Sequence, residues 1–169
     1  LILLELGDID LAHLIGMNMK KNREEDENAE DKPTVDKNFL RLTWEQMLEA
    51  VNVVHEHNLM HRDLKPANFM YVGSKLKLID FGISSEISMD ANTTSVITEK
   101  PFGTIGYMAP ETLRMDDSLG GVKIGRPADV WALGVILYQL VYNIHPFKHT
   151  NQQLLIHEIA YGNREIEFN

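Results

Sequence analysis

The stretch His61-Arg62-Asp63-Leu64-Lys65-Pro66-Ala67-Asn68, followed by Phe69-Met70-Tyr71-Val72-Gly73-Ser74-Lys75-Leu76-Lys77-Leu78-Ile79 and Asp80-Phe81-Gly82, decides the fold. Residues 69–72 and 75–79 are two strand-like runs, and the Gly-Ser pair between them predicts a β-hairpin. Pairing about that turn sets Val72 opposite Lys75. Counting outward brings Asn68 opposite Ile79, so Asn68 and Asp80 emerge as neighbours at the open end, with Asp63 just upstream. An amide oxygen converging with carboxylates makes a hard-oxygen site of the kind Mg²⁺ prefers, completed by water and substrate phosphates. The ladder fixes proximity and leaves the side-chain directions open.

Working outward, a helix is predicted over 43–57, with Thr43 as N-cap and Gln46 completing a capping box. Trp44, Met47, Leu48, Val51 and Val54 share one face of it. His55 and His57 on that helix point apart, which favours a solvated face over a zinc pair; His61, beside Met60, reads as a packed structural histidine rather than a base. At the start, Leu1-Ile2-Leu3-Leu4 reads as a buried strand, Gly7-Asp8 as a turn, and Leu11, Leu14 and Ile15 as the face of a short helix. Residues 20–38 almost lack apolar side chains and are predicted to form a disordered acidic surface insertion. Downstream, 82–110 is polar and irregular, 128–142 is apolar nearly all round and predicts a central buried helix, and 151–161 predicts a last amphipathic one.

Composition narrows the function classes. The chain of 169 residues carries 16 Lys and Arg against 25 Asp and Glu, a net charge of −9, which argues against direct binding to nucleic acid. There is no cysteine, hence no disulfide, thiolate nucleophile or Cys-ligated zinc. The most apolar run, 130–138, is too short to span a bilayer, so no membrane partner is expected.

Residues 61–68 match the pattern H-R-D-L-x-x-x-N in full, Asp80-Phe81-Gly82 gives D-F-G, and Ala109-Pro110-Glu111 gives A-P-E. In these motifs the chain resembles the catalytic domain of protein kinases. The resemblance implies an α+β, protein-kinase-like fold: a mostly helical large lobe with a short β-hairpin, the small lobe missing. It takes 1–169 as a partial domain, with 1–10 the last small-lobe strand and hinge, 61–68 the catalytic loop and 80–111 the activation segment. Asp63 would accept the substrate hydroxyl proton, Lys65 would balance charge on the migrating phosphoryl group, and Asn68 and Asp80 would hold Mg²⁺ against ATP phosphates. Thr104 would reach Asp63 and Lys65; together with Lys65-Pro66 and Gly103, it points to serine/threonine rather than tyrosine kinases. Leu4 would be the gatekeeper, the Glu5 and Gly7 backbones would bond adenine, Leu6 would pack nearby, Asp10 would lie by the ribose, and Met70 and Ile79 would form the pocket's lower wall.

The same resemblance implies regulation. Ser88, Thr93, Thr94, Ser95, Thr98 and Thr104 are hydroxyl-bearing candidates for phosphorylation, with Thr93 and Thr94 foremost, and Arg62 could pair with a phosphate on that segment. Asp129 could merely cap the buried helix; the resemblance has it anchoring the catalytic-loop backbone. Local strings, among them Gly7-Asp8-Ile9-Asp10-Leu11, Asn92-Thr93-Thr94-Ser95-Val96 and Gly103-Thr104-Ile105-Gly106-Tyr107-Met108, resemble the monopolar-spindle (TTK-type) dual-specificity kinases. That implies protein substrates, kinetochore or spindle partners, and an intracellular location in nucleus or cytoplasm, at kinetochores or spindle in mitosis. Asn143 departs from a Gly common after the buried helix, a change a left-handed Asn tolerates. No Gly-rich loop or strand-three lysine occurs, so the 169 residues alone are expected to be inactive, and Glu111 to lack its arginine partner. The alternative is a non-catalytic scaffold or docking module built on a kinase large lobe.

Overall fold

The computed structural model describes residues 5–25, 36–81, 85–86, 95–99, 101–116, 118, 120–162 and 166. The leading strand, Leu4, the Gly of D-F-G, Ser88, Thr93 and Thr94 lie outside them.

A short strand β1 (Ile9–Asp10) leads directly into helix α1 (Leu11–Glu25), whose Leu11 and Ile15 are buried. Residues 20–25 thus continue the helix instead of opening the expected insertion: Lys, Arg and Glu are good helix formers and need no burial to extend one. Helix α2 (Lys37–Glu56) likewise starts about two turns earlier than predicted. Asp36, not Thr43, is its N-cap; the carboxylate accepts the Asn38 and Phe39 amides at 2.8 and 3.3 Å. The apolar stripe also reaches one turn upstream, through Leu40 to Trp44, Met47 and Val51.

Thr43, displaced from the cap, is fully buried mid-helix, where its hydroxyl meets the Tyr71 hydroxyl at 2.7 Å. Gln46 does not close a capping box but accepts the Leu76 amide at 2.7 Å, tying α2 to the hairpin. Tyr71→Phe would strand the buried Thr43 hydroxyl, at a cost of about 1–2 kcal/mol in urea unfolding with an unchanged m-value. Adding Thr43→Val should recover part of it; equal stability of Tyr71→Phe and wild type would show that the contact contributes nothing.

After β2 (Leu59–Met60) and a 3₁₀ turn (Pro66–Asn68), the hairpin forms in the predicted register, β3 (Phe69–Val72) against β4 (Lys75–Leu78), with Val72 opposite Lys75. β1 pairs with the outer side of β3, giving the order β1-β3-β4. The polar segment beyond contains two further strands, β5 (Ser85–Glu86) on β2 and β6 (Ser95–Thr98) on β7 (Val122–Gly125). Their partners lie far along the chain, so no local pattern announced them. Helix α3 (Arg126–Tyr142) follows, ending on Asn143 in the left-handed region at φ 54°, its amide bonded to Gln139 O. Helix α4 (Gln152–Tyr161) is capped by the Asn151 side chain.

The main core joins α1, α2 and α3 through Leu11, Met47, Leu133 and Ile136, and draws in Leu64, Phe69 and Leu76. The loop carrying Asp63 is therefore pinned from within by Leu64, and the hairpin beside it by Phe69. One flank of α3 stays open, Val130 being 59% exposed. Among the described residues no helix is long and apolar enough to cross a membrane.

Candidate active site

Residues 61–65 run in irregular backbone between β2 and the 3₁₀ turn, with Arg62 in the left-handed region at φ 72°. For an arginine that conformation costs about 1–2 kcal/mol, and something must hold it. Asp129, buried in the first turn of α3, does so: one carboxylate oxygen accepts the His61 amide at 3.0 Å, the other the Arg62 amide at 2.9 Å. Asp129 therefore acts across the fold rather than as a cap of its own helix. The first of these oxygens also bonds His55 Nε2 at 2.8 Å, and only 16% of the His55 side chain is exposed. The expected solvated histidine is thus a half-buried support for Asp129; helical spacing to His57 could not reveal a partner 74 residues away.

Held on this loop, Asp63 collects donors. Lys65 Nζ donates to Oδ2 at 2.7 Å, while the Thr104 amide and hydroxyl donate to Oδ1 at 2.9 and 2.8 Å. Lys65 also reaches Thr104 Oγ1 at 3.1 Å. Burial pushes the Asp63 carboxyl up, but the Lys65 and Thr104 hydrogen bonds and the Lys65 charge outweigh it and hold the group below its ordinary value. Asp63 is therefore a carboxylate at neutral pH. Thr104 can approach because Gly103, at φ 121°, passes where a side chain would meet Arg62 O at 2.8 Å.

Asn68 Nδ2 donates to Asp63 O at 2.8 Å, which commits the amide nitrogen and leaves Oδ1 as its free acceptor for a cation. The Ile79 amide bonds Asn68 O at 2.9 Å, extending the hairpin one step and placing Asp80 just past Asn68. Asp80 is itself left-handed at φ 62°. His61 is fully buried, with Nε2 3.2 Å from Ile79 O and its ring edge-on to Phe81 at 5.1 Å.

The nucleotide-facing candidates are placed as follows. Gly7 lies against the Met70 side chain, and Glu5 pairs with Lys77. Asp10 accepts the His13 amide at 2.9 Å and faces His13 Nδ1 at 2.6 Å; burial raises its carboxyl, but these contacts keep it below the ordinary value. Ile79 is part-exposed, and Leu6, expected to pack, is 88% exposed. Thr98 lies in β6, paired with Val122, and Glu111 is exposed with no ion pair among the described residues. Arg62 faces the Phe102 ring at 5.7 Å, with Nε and Nη2 buried and unpartnered, and burial lowers its pKa although Asp129 raises it. Such a guanidinium offers an unfilled fork to an oxyanion.

The described cluster is a shielded carboxylate flanked by the Lys65 ammonium, the Thr104 hydroxyl and the Asn68 side-chain amide. Among the described residues no three His, Cys, Asp or Glu side chains converge to hold a metal by themselves. A cation on Asn68 and Asp80 would take its remaining ligands from phosphate or water.

Comparison with known proteins agrees with this geometry. The protein kinase domain matches residues 10–167. The chain is 48% identical over 153 residues to serine/threonine-protein kinase mph1 of Schizosaccharomyces pombe, covering 88% of this chain and 20% of that protein. It is 45% identical over 131 residues to dual specificity protein kinase TTK of Mus musculus, covering 74% of this chain and 15% of that protein. To serine/threonine-protein kinase MPS1 of Saccharomyces cerevisiae it is 35% identical over 155 residues, 86% of this chain and 18% of that protein. The chain thus spans about a fifth or less of the length of these relatives. A catalytic-type loop held from behind by Asp129, a carboxylate gathered by Lys65 and Thr104, and a domain match over nearly the whole sequence lead to one statement: the chain belongs to the protein kinase family, with the mph1-, MPS1- and TTK-named kinases among its relatives.

Proposed function

We propose that the whole protein bearing this chain transfers the γ-phosphoryl group of ATP to serine and threonine hydroxyls of proteins, in spindle-checkpoint signalling at kinetochores or the mitotic spindle. The observation that carries the chemistry is the Asp63 carboxylate held by Lys65 and Thr104. The names of the relatives, a serine/threonine-protein kinase and a dual specificity protein kinase, support the protein substrates, and the checkpoint setting rests on the resemblance of the local strings to monopolar-spindle kinases.

Phosphoryl transfer asks for positioning and charge neutralisation more than covalent chemistry. Asp63, ionised and fixed by Thr104, orients a substrate hydroxyl and accepts its proton. Lys65, 2.7 Å from that carboxylate, lies where it can also neutralise charge on the moving phosphoryl group. The free acceptor of Asn68 and the carboxylate of Asp80 fit Mg²⁺, a hard cation that takes oxygen ligands and, when bound, neutralises phosphate charge. Met70 and Ile79 form the floor under adenine, the backbones of Glu5 and Gly7 bond its edge, and Asp10 stands by the ribose. Arg62, with its unfilled fork, receives a phosphate on the activation segment.

The test is ATP- and Mg²⁺-dependent phosphate transfer by the whole protein to a Ser/Thr protein substrate; absence of transfer would defeat the reading. A sharper expectation concerns Lys65→Met. Loss of the ammonium should lower kcat about 10²-fold. The Asp63 carboxyl, now held down by Lys65, should rise, so activity that needs its ionised form is lost at a higher pH. The acid limb of the kcat/KM profile therefore moves upward. An unmoved limb would remove Lys65 from the Asp63 environment.

A further inference from the structure

Helix α1 opens on a carboxylate–imidazole pair. Asp10 ends β1, and His13 follows in the first turn of α1. One Asp10 oxygen accepts the His13 amide at 2.9 Å, the bond of a helix N-cap. The other oxygen faces His13 Nδ1 at 2.6 Å. The Asp10 side chain is 18% exposed and the His13 side chain 76%. Asp10, its carboxyl held below the ordinary value, is a carboxylate at neutral pH and can only accept, so Nδ1 carries the proton of this bond.

A proton fixed on Nδ1 decides what the far side of the ring offers. Nε2 is a bare acceptor when the ring is neutral and an N–H donor when it is protonated. The polar contacts of His13 among the described residues all go to Asp10, through its amide and Nδ1, which leaves Nε2 to solvent. A hydroxyl both donates and accepts, and therefore suits either state of the ring. An anion or a metal ion suits only one.

The surroundings say which hydroxyl. Asp10 stands opposite Met70 across β1 and β3, and Met70 lies against Gly7. Met70 is the residue placed under adenine. Both β1 and α1 also pack on the 3₁₀ turn that ends in Asn68, where the metal and the phosphates are placed. The junction of β1 and α1 thus adjoins the adenine floor and the phosphate end alike. The part of a nucleotide that joins those two is its ribose.

We infer that His13, rather than Asp10, makes the direct contact with the nucleotide sugar, His13 Nε2 exchanging a hydrogen bond with a ribose hydroxyl. Asp10 is then a positioning residue: one oxygen caps α1 and the other aims the ring. This deepens the proposed nucleotide site and rests on it, while giving a role to a side chain that the motifs leave unassigned.

Equilibrium titration of the whole protein with Mg²⁺ and ADP, 2′-deoxy-ADP or 3′-deoxy-ADP tests it. Wild type should bind ADP about tenfold more tightly than at least one of the deoxy forms, the effect of one hydrogen bond. His13→Ala should bring ADP down to the affinity of that deoxynucleotide and leave the deoxynucleotide's own affinity unchanged. Alanine is the best helix former and the His13 side chain is largely exposed, so this variant keeps the fold. Asp10→Asn, which can still cap α1 but aims the ring less firmly, should lose only part of the preference for ADP. Retention of the full preference in His13→Ala would return the contact to Asp10 and overturn the inference. An equal fall for all three nucleotides in that variant would overturn it as well, since His13 would then only stiffen the helix start. So would a wild type that binds all three alike. A wild type that binds none of them would instead defeat the kinase reading on which the inference rests.

Discussion

Asp63→Asn in the whole protein should lower kcat for protein phosphorylation by about 10³–10⁴-fold while nucleotide affinity changes by less than about threefold. The substitution keeps the size and planar shape of the side chain. One oxygen can still accept the Thr104 amide and hydroxyl, now at 2.9 and 2.8 Å from Oδ1. What disappears is the lone pair proposed to take the substrate proton and the negative charge that faces Lys65 at 2.7 Å. A loss of 10³ corresponds to about 4 kcal/mol of transition-state stabilisation, within the range a single positioned base supplies. The residues proposed to bind the nucleotide are others, so the loss is expected in kcat. Single-turnover transfer with an equilibrium nucleotide titration separates the two quantities. Transfer within tenfold of wild type would show that Asp63 is not the base. A chain acting only as a scaffold would, in contrast, show no transfer before the substitution and unchanged partner binding after it.

How far the sequence could be read depended on whether a feature was made by neighbours along the chain. The hairpin was legible to its register because Gly73-Ser74 and the alternation about it are local, and Ile79 bonding Asn68 O follows from the same count. Asn143 in the left-handed region was legible for the same reason. The start of α2 was not: the charged run before it concealed that Asp36 could cap and that Leu40 extended the apolar stripe. His55 was misread because its partner is on α3, and the strands β5 and β6 because their partners are β2 and β7. The motif residues came from a pattern, yet the reason the loop holds its shape, a buried carboxylate under a left-handed arginine, is a three-dimensional fact.

That buried carboxylate supports the second large expectation. Asp129→Ala should cost about 3–5 kcal/mol of stability in urea unfolding. It leaves the His61 and Arg62 amides without their acceptor in a buried site, at about 1–3 kcal/mol each, and it frees His55 Nε2. It also removes what holds Arg62 at φ 72°, so residues 61–63 can relax toward the negative-φ region and swing Asp63 from Thr104. Catalysis should therefore fall further than global instability explains. Asp129→Asn separates the effects: it can satisfy one amide but presents an NH₂ group to the other. Its stability should lie between the alanine variant and wild type, with kcat lowered under conditions where the protein is fully folded. His55→Phe keeps both amide bonds and should leave kcat within a few-fold. Were Asp129→Asn to match wild type in kcat and in exchange protection at residues 61–63, the loop would owe its shape to Leu64 packing and not to α3.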